Sequence, residues 1–341
     1  MSLNCVHSSQ KIASEGENPL KRLRAFVQAD MEKVNALIYA QVENEISLIP
    51  DLSGHTVDSG GKRLRPMLTL ACAKLCGYEE DHHITLATTV EFMHTATLLH
   101  DDVVDGSELR RSRKTANNIW GNKASILVGD YLLGKAFNLM VKPQSLRILE
   151  ILSHAAMVIS EGEVLQLSCE GTLPEDDKNY YKIIDAKTAA LFSAACEVGA
   201  VVAGADIKES DALRDYGRYL GLAFQIADDA LDYAASQEVL GKRIGDDFRD
   251  RKATLPLILA YQKADAQQKD FWERTIVDDN QTEEDCQQAV AYIHQHQAIE
   301  ASLTEAHKLA AKAVESLAVF KDSELKSALA AVATYSVERS V

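Results

Sequence analysis

Helix breakers are scarce in this chain: its 341 residues include 17 glycines and 6 prolines. No segment alternates apolar and polar residues convincingly enough to read as a strand, and the abundance of Ala, Leu, Glu and Lys favours helix throughout. A basic surplus is also lacking. Lys and Arg number 36 against 51 Asp and Glu, for a formal charge of −15. That argues against a nucleic-acid binder, which needs a basic face to neutralise phosphates. It leaves room for a small anionic substrate, because a local basic cluster or bound cations can reverse the field in one pocket. Long hydrophobic runs are missing too. The longest, 189–205, is interrupted by Glu197 and falls short of the ~20 residues needed to span a bilayer, so it reads as a buried core helix.

Residues 1–17 are polar and have no apolar stretch of the secretory-signal kind. We expect residues 1–18 to be a disordered lead and 19–341 to form a single all-helical domain. Six scattered cysteines (Cys5, Cys72, Cys76, Cys169, Cys196 and Cys286) read as free, reduced thiols in a cytoplasmic protein. There is no G-x-S-x-G elbow, Walker loop or zinc-protease helix. Without a nucleophile constellation, any chemistry has to be electrostatic.

Apolar periodicity of the helical kind recurs nearly everywhere. A first helix is expected over 20–49, stopped by Pro50, followed by a glycine-containing break at 58–61. Further helices are expected at about 64–77, 83–104, 123–141, 144–170, 179–203, 209–236, 253–277, 283–299, 301–319 and 322–338. The loop 236–251 is rich in Gly and Asp. His82 and His83 read as exposed residues at a helix start.

Two of these helices are apolar on most sides and end in acid. One reads LATTVEFMHTATLLHDDVVD over 86–105, the other LGLAFQIADDALD over 220–232. Asp101, Asp102 and Asp105 stand three and four residues apart, on one helical face, and Asp228, Asp229 and Asp232 repeat the spacing. Like charges so placed repel one another. A single such motif could be a solvated helix end. Two copies, each below an apolar helix, instead suggest a double carboxylate rim, and hard oxygen ligands of this kind suit Mg²⁺ bridging to substrate phosphates.

Cations stand in reach as counterparts. GGKRLRP over 60–66 brings Lys62, Arg63 and Arg65 to a loop-to-helix junction, a setting that suits phosphate oxygens. Arg110 and Arg111 follow the first acidic cluster. Lys187-Thr188 lies in a largely apolar helix, where a lysine needs a partner. Lys242 and Lys252 flank Gly245-Asp246-Asp247. His94 lies two turns before Asp101 on nearly the same face; it reads equally as a core histidine or a ligand-binding one, and so does His100.

In order and combination, GGKRLRP, EFMHTATLLHDDVVDGSELRR, KTAALFSAAC, FQIADDALD and GKRIGDDFRDRKATLPL resemble the trans-isoprenyl diphosphate synthase family over nearly the whole chain. The segment TANNIWGNKASILVGDYLL is most similar to bacterial octaprenyl and decaprenyl diphosphate synthases. The resemblance implies a single large helical bundle of the isoprenoid synthase type with a central cavity. It implies Mg²⁺, as three ions bridging the allylic diphosphate, held by Asp101, Asp102, Asp105, Asp228, Asp229 and Asp232. It implies that Arg110, Lys187, Lys242 and Lys252 bind the allylic diphosphate and that Lys187, Thr188 and Gln225 serve the ionising group. Lys62, Arg65, His94 and Arg111 would hold isopentenyl diphosphate. Ser112-Arg113 departs from the family, which often has Gly after the arginine pair, and is expected to add a side chain and a charge near the anion site.

The implied mechanism is ionisation of the allylic diphosphate, attack by the isopentenyl double bond, and proton loss to the released diphosphate. The implied partners are those two substrates and a second copy of the chain in a homodimer, with at most transient membrane contact for product release. A class I terpene cyclase is disfavoured, since it has no need of a second diphosphate site. A non-catalytic subunit of a heteromeric synthase could lose an acidic cluster, yet both are present. For product length, one helical turn rises ~5.4 Å, close to one extended isoprene unit. The gate a turn below the rim is formed by Ala96 and Thr97, five and four residues before Asp101. Both are small, so the expected product is about C40–C50 rather than C15–C20, a range the resemblance supplies and a gate of this height permits.

Overall fold

The computed structural model describes residues 18–59, 61–111, 113–234 and 244–338. The expected disordered lead and Lys242 therefore lie outside the described residues, apart from Asn18, whose side chain caps the first helix by accepting from the Leu20 and Lys21 amides. In chain order the helices are α1 Pro19–Val42, α2 Leu48–Val57, α3 Leu64–Leu75, α4 His82–Val104, α5 Ala116–Trp120, α6 Asn122–Met140, α7 Leu146–Cys169, α8 Lys178–Ile184, α9 Ala190–Val202, α10 Ile207–Ala234, α11 Asp246–Arg249, α12 Leu255–Gln262, α13 Ala266–Trp272, α14 Glu283–Gln295, α15 Ala298–Ser316 and α16 Glu324–Glu338. A π-helical turn, Asp185–Ala189, joins α8 to α9. The only strands among the described residues are a two-residue antiparallel pair, Leu109–Arg110 with Arg113–Lys114.

Three boundaries differ from expectation, each for a local reason. The helix expected over 20–49 ends at Val42. Asn44 then accepts a bond from the Ile46 amide and turns the chain. Pro50 falls in the first turn of α2, where a missing N–H leaves no intrahelical bond unmade. The expected 253–277 helix breaks at 263–265, where Asp265 and Gln268 form a capping box that starts α13. The expected 283–299 helix breaks at Gln297, which adopts φ 53°.

The core runs between α3, α4, α9 and α10. α4 is buried along almost its whole length, with Leu86, Val90, Phe92, Met93, Ala96 and Leu99 inside, and each such large apolar side chain contributes about 1.5–3 kcal/mol. α10 approaches the π-turn and α9 closely through Gly217 and Gly221. A Cβ on Gly221 would stand 2.6 Å from the Ala189 Cα. Among the described residues no helix is long and apolar enough to cross a membrane.

Candidate active site

One cavity of about 740 Å³ opens where α4 and α10 end. Asp101 and Asp105 line one wall; Asp228, Asp229 and Asp232 line the other. The apolar helices bring these acids in, and the electrostatics register the cost. Burial pushes the Asp101 carboxyl up to about 7, with Glu163 adding to the rise and Lys187 opposing it. Burial does the same to Asp229, also to about 7, against hydrogen bonds that favour its charge. Burial and mutual repulsion both favour the neutral form of carboxylates crowded this way.

The two triplets do not present all their members alike. Asp102 is 2% exposed and does not line the cavity. Its Oδ1 accepts from Arg110 Nε at 2.8 Å and is ion-paired with Nη2 at the same distance. Asp229 lines the cavity but has both oxygens engaged: Oδ1 accepts from Gln225 Nε2 at 2.7 Å and Oδ2 from the Tyr180 hydroxyl at 2.6 Å. Gln225 in turn accepts from the Thr188 hydroxyl at 2.7 Å. Thr188, Gln225, Asp229 and Tyr180 thus form one chain across α8, the π-turn and α10.

Lys187 has its partner. Its Nζ is 2.7 Å from Glu163 Oε2 and donates to Gln166 Oε1 at 3.0 Å. Lys252 Nζ reaches across to Asp105 Oδ1 at 3.2 Å and Asp250 Oδ2 at 3.1 Å, which raises its pKa against the effect of burial. The Asp247 amide donates to Asp232 Oδ2 at 3.1 Å. Burial pushes the Asp247 carboxyl well above its usual range, and Asp232 and Asp229 push it further.

The cations from 62–65 face the same cavity. Lys62, Arg63, Arg65, His94 and Arg111 all line it, with Glu91 among them. Arg63 and Arg111 adopt φ 49° and 51°, a left-handed geometry that costs about 1–2 kcal/mol for a residue with a Cβ and is typical of functional loops. Arg65 lies 4.3 Å over the Phe192 ring. Its Nη1 is 3.2 Å from His94 Nε2. A guanidinium can only donate, so Nε2 is the acceptor and the His94 proton sits on Nδ1. Burial, reinforced by Arg65 and Arg111, holds His94 neutral, well below its ordinary pKa.

Several cavity residues have no role assigned from the sequence: Glu91, Glu163, Gln166, Tyr180 and Phe192. Glu163 and Gln166 stand three apart on α7, a spacing that marks them as a pair once Lys187 is known to need a partner. Of the two gate residues, Thr97 lines the cavity, whereas Ala96 is 2% exposed, inside the core and off the cavity wall. Arg113 does not add a charge to the anion site: its Nη1 donates to the Asp58 carbonyl at 3.2 Å. His83 is buried, not exposed; its Nε2 faces Asp30 Oδ2 at 3.4 Å.

The pattern that defines the polyprenyl synthetase family matches residues 47–293. The chain belongs to this family. Within it, the chain is 42% identical over 320 residues to the octaprenyl diphosphate synthase of Haemophilus influenzae, covering 94% of this chain and 97% of that protein. The Escherichia coli octaprenyl diphosphate synthase is 41% identical, covering 94% and 99%. Among solved structures, the Caulobacter crescentus polyprenyl synthase complexed with calcium and isoprenyl diphosphate matches with a TM-score of 0.91 and 50% identity, over 94% of this chain and 98% of that one. The Rhodobacter capsulatus decaprenyl diphosphate synthase gives 0.91 and 48%, over 94% and 99%. The family assignment makes the protein a prenyltransferase with the all-helical isoprenoid synthase fold.

The donor set fits a divalent cation. Among the described residues no three His, Cys, Asp or Glu side chains converge to cage an ion. What the cavity offers is two opposed sets of hard carboxylate oxygens. That suits magnesium, which takes one or two carboxylates and completes its shell with water and substrate phosphates.

Proposed function

We propose that the protein is a Mg²⁺-dependent, long-chain all-trans polyprenyl diphosphate synthase, adding isopentenyl diphosphate units to an allylic diphosphate. One observation carries this reading: the cavity is lined by a carboxylate rim, suited to metal ions that would carry one diphosphate, and by a separate cation cluster suited to a second. A cyclase that only ionises its substrate needs the first alone.

Asp101 and Asp105 from α4 and Asp228 and Asp232 from α10 would hold the metal, with Asp102 and Asp229 positioning their neighbours through Arg110, Gln225 and Tyr180. When bound, Mg²⁺ neutralises the departing diphosphate. Lys187 and Lys252 add positive charge on the same side. Arg110, already held on Asp102, braces that wall, and Lys242 belongs to the same site by resemblance. The Thr188–Gln225 pair places oxygen lone pairs where positive charge develops on the allylic carbon. Across the cavity Lys62, Arg65 and Arg111 hold the isopentenyl diphosphate, with neutral His94 orienting Arg65. The released diphosphate takes the proton, as the base left beside the allylic site after ionisation.

The octaprenyl and decaprenyl relatives support a product of about eight to ten units, each near the ~5.4 Å rise of a helical turn. Exposed apolar side chains on α6 and α7, including Leu127, Phe137, Met157, Val164 and Leu167, support a homodimer. The test is incubation with labelled isopentenyl diphosphate, farnesyl diphosphate and Mg²⁺, followed by mass spectrometry of the dephosphorylated products. Long all-trans chains are expected. A cyclised hydrocarbon, a C15–C20 end product or no condensation would overturn the reading.

A further inference from the structure

The cation cluster contains one acid that the reaction as described does not use. Glu91 lines the cavity, is 7% exposed, and its Oε2 has no hydrogen-bond partner. Arg63, Arg65 and Arg111 act on it electrostatically. Buried donors beside it are also unpartnered, Arg63 Nη1 and Arg65 Nε. Such neighbours can donate but not accept, so the form of Glu91 that matches them is the carboxylate, which only accepts. Burial raises the Glu91 pKa above its ordinary value, and the three arginines oppose that rise without cancelling it.

Chain elongation places a demand on this site. A condensation leaves the lengthened diphosphate where isopentenyl diphosphate was bound. The next cycle requires that same headgroup at the carboxylate rim. The cation cluster must therefore capture a diphosphate and then release a group of identical charge. A terminal phosphoryl group carries about −1.5 to −2 near neutral pH, and the inner phosphate adds a further negative charge. Lys62, Arg63, Arg65 and Arg111 together would outweigh it; Glu91 leaves the cluster close to balance with its ligand.

We propose that Glu91 is a release residue: its negative charge limits the affinity of the cation cluster, so that each newly lengthened diphosphate crosses to the carboxylate rim. The proposal rests on the two-site reading above. It concerns electrostatic tuning between the sites, with Glu91 touching no reacting atom.

The experiment compares wild type, Glu91→Gln, Glu91→Asp and the double variant Glu91→Gln/Arg63→Gln. Binding of isopentenyl diphosphate is measured by calorimetry, and product lengths by mass spectrometry. Glu91→Gln is expected to bind isopentenyl diphosphate roughly tenfold more tightly, as removal of a nearby like charge in a partly buried site allows, and to accumulate chains extended by one or two units. Glu91→Asp and the double variant should shift both readouts back towards wild type. Equal or weaker binding by Glu91→Gln, or an unchanged product distribution, would overturn the proposal. Should Glu91→Gln fail to fold, Arg63→Gln alone decides: weaker binding with undiminished product length supports the proposal, and shorter products refute it. Wild-type enzyme that adds no units would instead count against the two-site reading itself.

Discussion

Arg110 and Asp102 form a closed pair at the edge of the rim, with two guanidinium nitrogens 2.8 Å from one carboxylate oxygen. The pair takes one acid of the first triplet out of the cavity and leaves Asp101 and Asp105 facing it. The three aspartates should therefore differ in what their loss does.

Asp101→Ala and Asp228→Ala should each lower kcat by about 10²-fold or more, because each removes an oxygen that faces the departing diphosphate. Asp102→Asn should cost less, and its effect should not add to that of Arg110→Ala, since either change breaks the same contact. Steady-state kinetics at saturating substrate and Mg²⁺ provide the measurement. Near wild-type turnover for Asp101→Ala, or full additivity in the Asp102/Arg110 cycle, would contradict this division of roles.

The two anion sites should separate kinetically. Arg111→Ala should raise the KM for isopentenyl diphosphate, by about tenfold for a lost charged contact. Lys187→Ala should act on the allylic substrate, and it also leaves Glu163 without the 2.7 Å partner it now has. Each substrate is varied in turn. Equal increases in both KM values for both variants would show that the two sites are not distinct.

Much of this was legible from residue spacing. The paired acidic motifs, GGKRLRP and Lys187-Thr188 located the cavity walls because the chemistry there needs particular side chains at fixed helical intervals. What spacing could not show was side-chain direction. Asp102 and Asp105 share a face with Asp101 on an ideal helix, yet Arg110 lies eight residues beyond Asp102 and only the folded loop brings it back. Glu91 and Phe192 reach the cavity from inside largely buried helices, and Tyr180 from the short α8. Their roles depend on what stands opposite, which no local pattern encodes. The helix breaks at 43–47, 263–265 and 297 were missed because Asn44, Asp265 and Gln297 act through caps and one left-handed residue rather than through Gly or Pro.

Buried His83 gives a pH-dependent contribution to stability. It faces Asp30 at 3.4 Å, with Lys74 2.7 Å from the same Asp30 oxygen, and Tyr78 packs edge-on. Burial lowers its pKa from 6.5, with Asp30 opposing. The folded value lies below the unfolded one, so the unfolded chain binds more protons in between. The contribution is fully present above about 6.5 and is lost as pH falls through the folded value. Thermal midpoints should therefore drop on acidification below that point, and less steeply in His83→Gln. Parallel curves would assign the pH dependence to other groups.

Gly221→Ala tests the approach of α10 to the catalytic turn. The new Cβ would stand 2.6 Å from the Ala189 Cα, a backbone atom next to Thr188. Alanine gains about 1 kcal/mol in helix propensity, whereas overpacking costs about 1–3 kcal/mol. A net loss of stability is expected in chemical denaturation, together with lower kcat as the Thr188–Gln225 bond is displaced. A stabilised, fully active variant would show that the helices part without consequence.

Product length provides the last test. On the proposed reading the growing tail would leave the rim beside α4, where Thr97 lines the cavity four residues before Asp101. Thr97→Tyr should fill that space and shorten the product towards C15 or C20 while permitting the first condensation, because the aspartates are untouched. Ala96 lies one position round the helix. It stands four residues before His100, whose ring contacts the Ile126 carbonyl and packs on Gly129, so Ala96 faces the seam between α4 and α6. If the tail outgrows the cavity along α4, buried Leu132 and Ala136 would lie ahead of it in this seam, whereas Phe137 is 42% exposed. Ala96→Tyr should then also shorten the chain, at a stability cost of about 1–3 kcal/mol for overpacking a core position. Mass spectrometry of dephosphorylated products, read beside thermal melts, separates the outcomes. Shortening in both variants places the tail in the seam. Shortening in Thr97→Tyr alone, with Ala96→Tyr merely less stable, confines it to the cavity. Unchanged length in both would show that this side of α4 does not line the path of the tail.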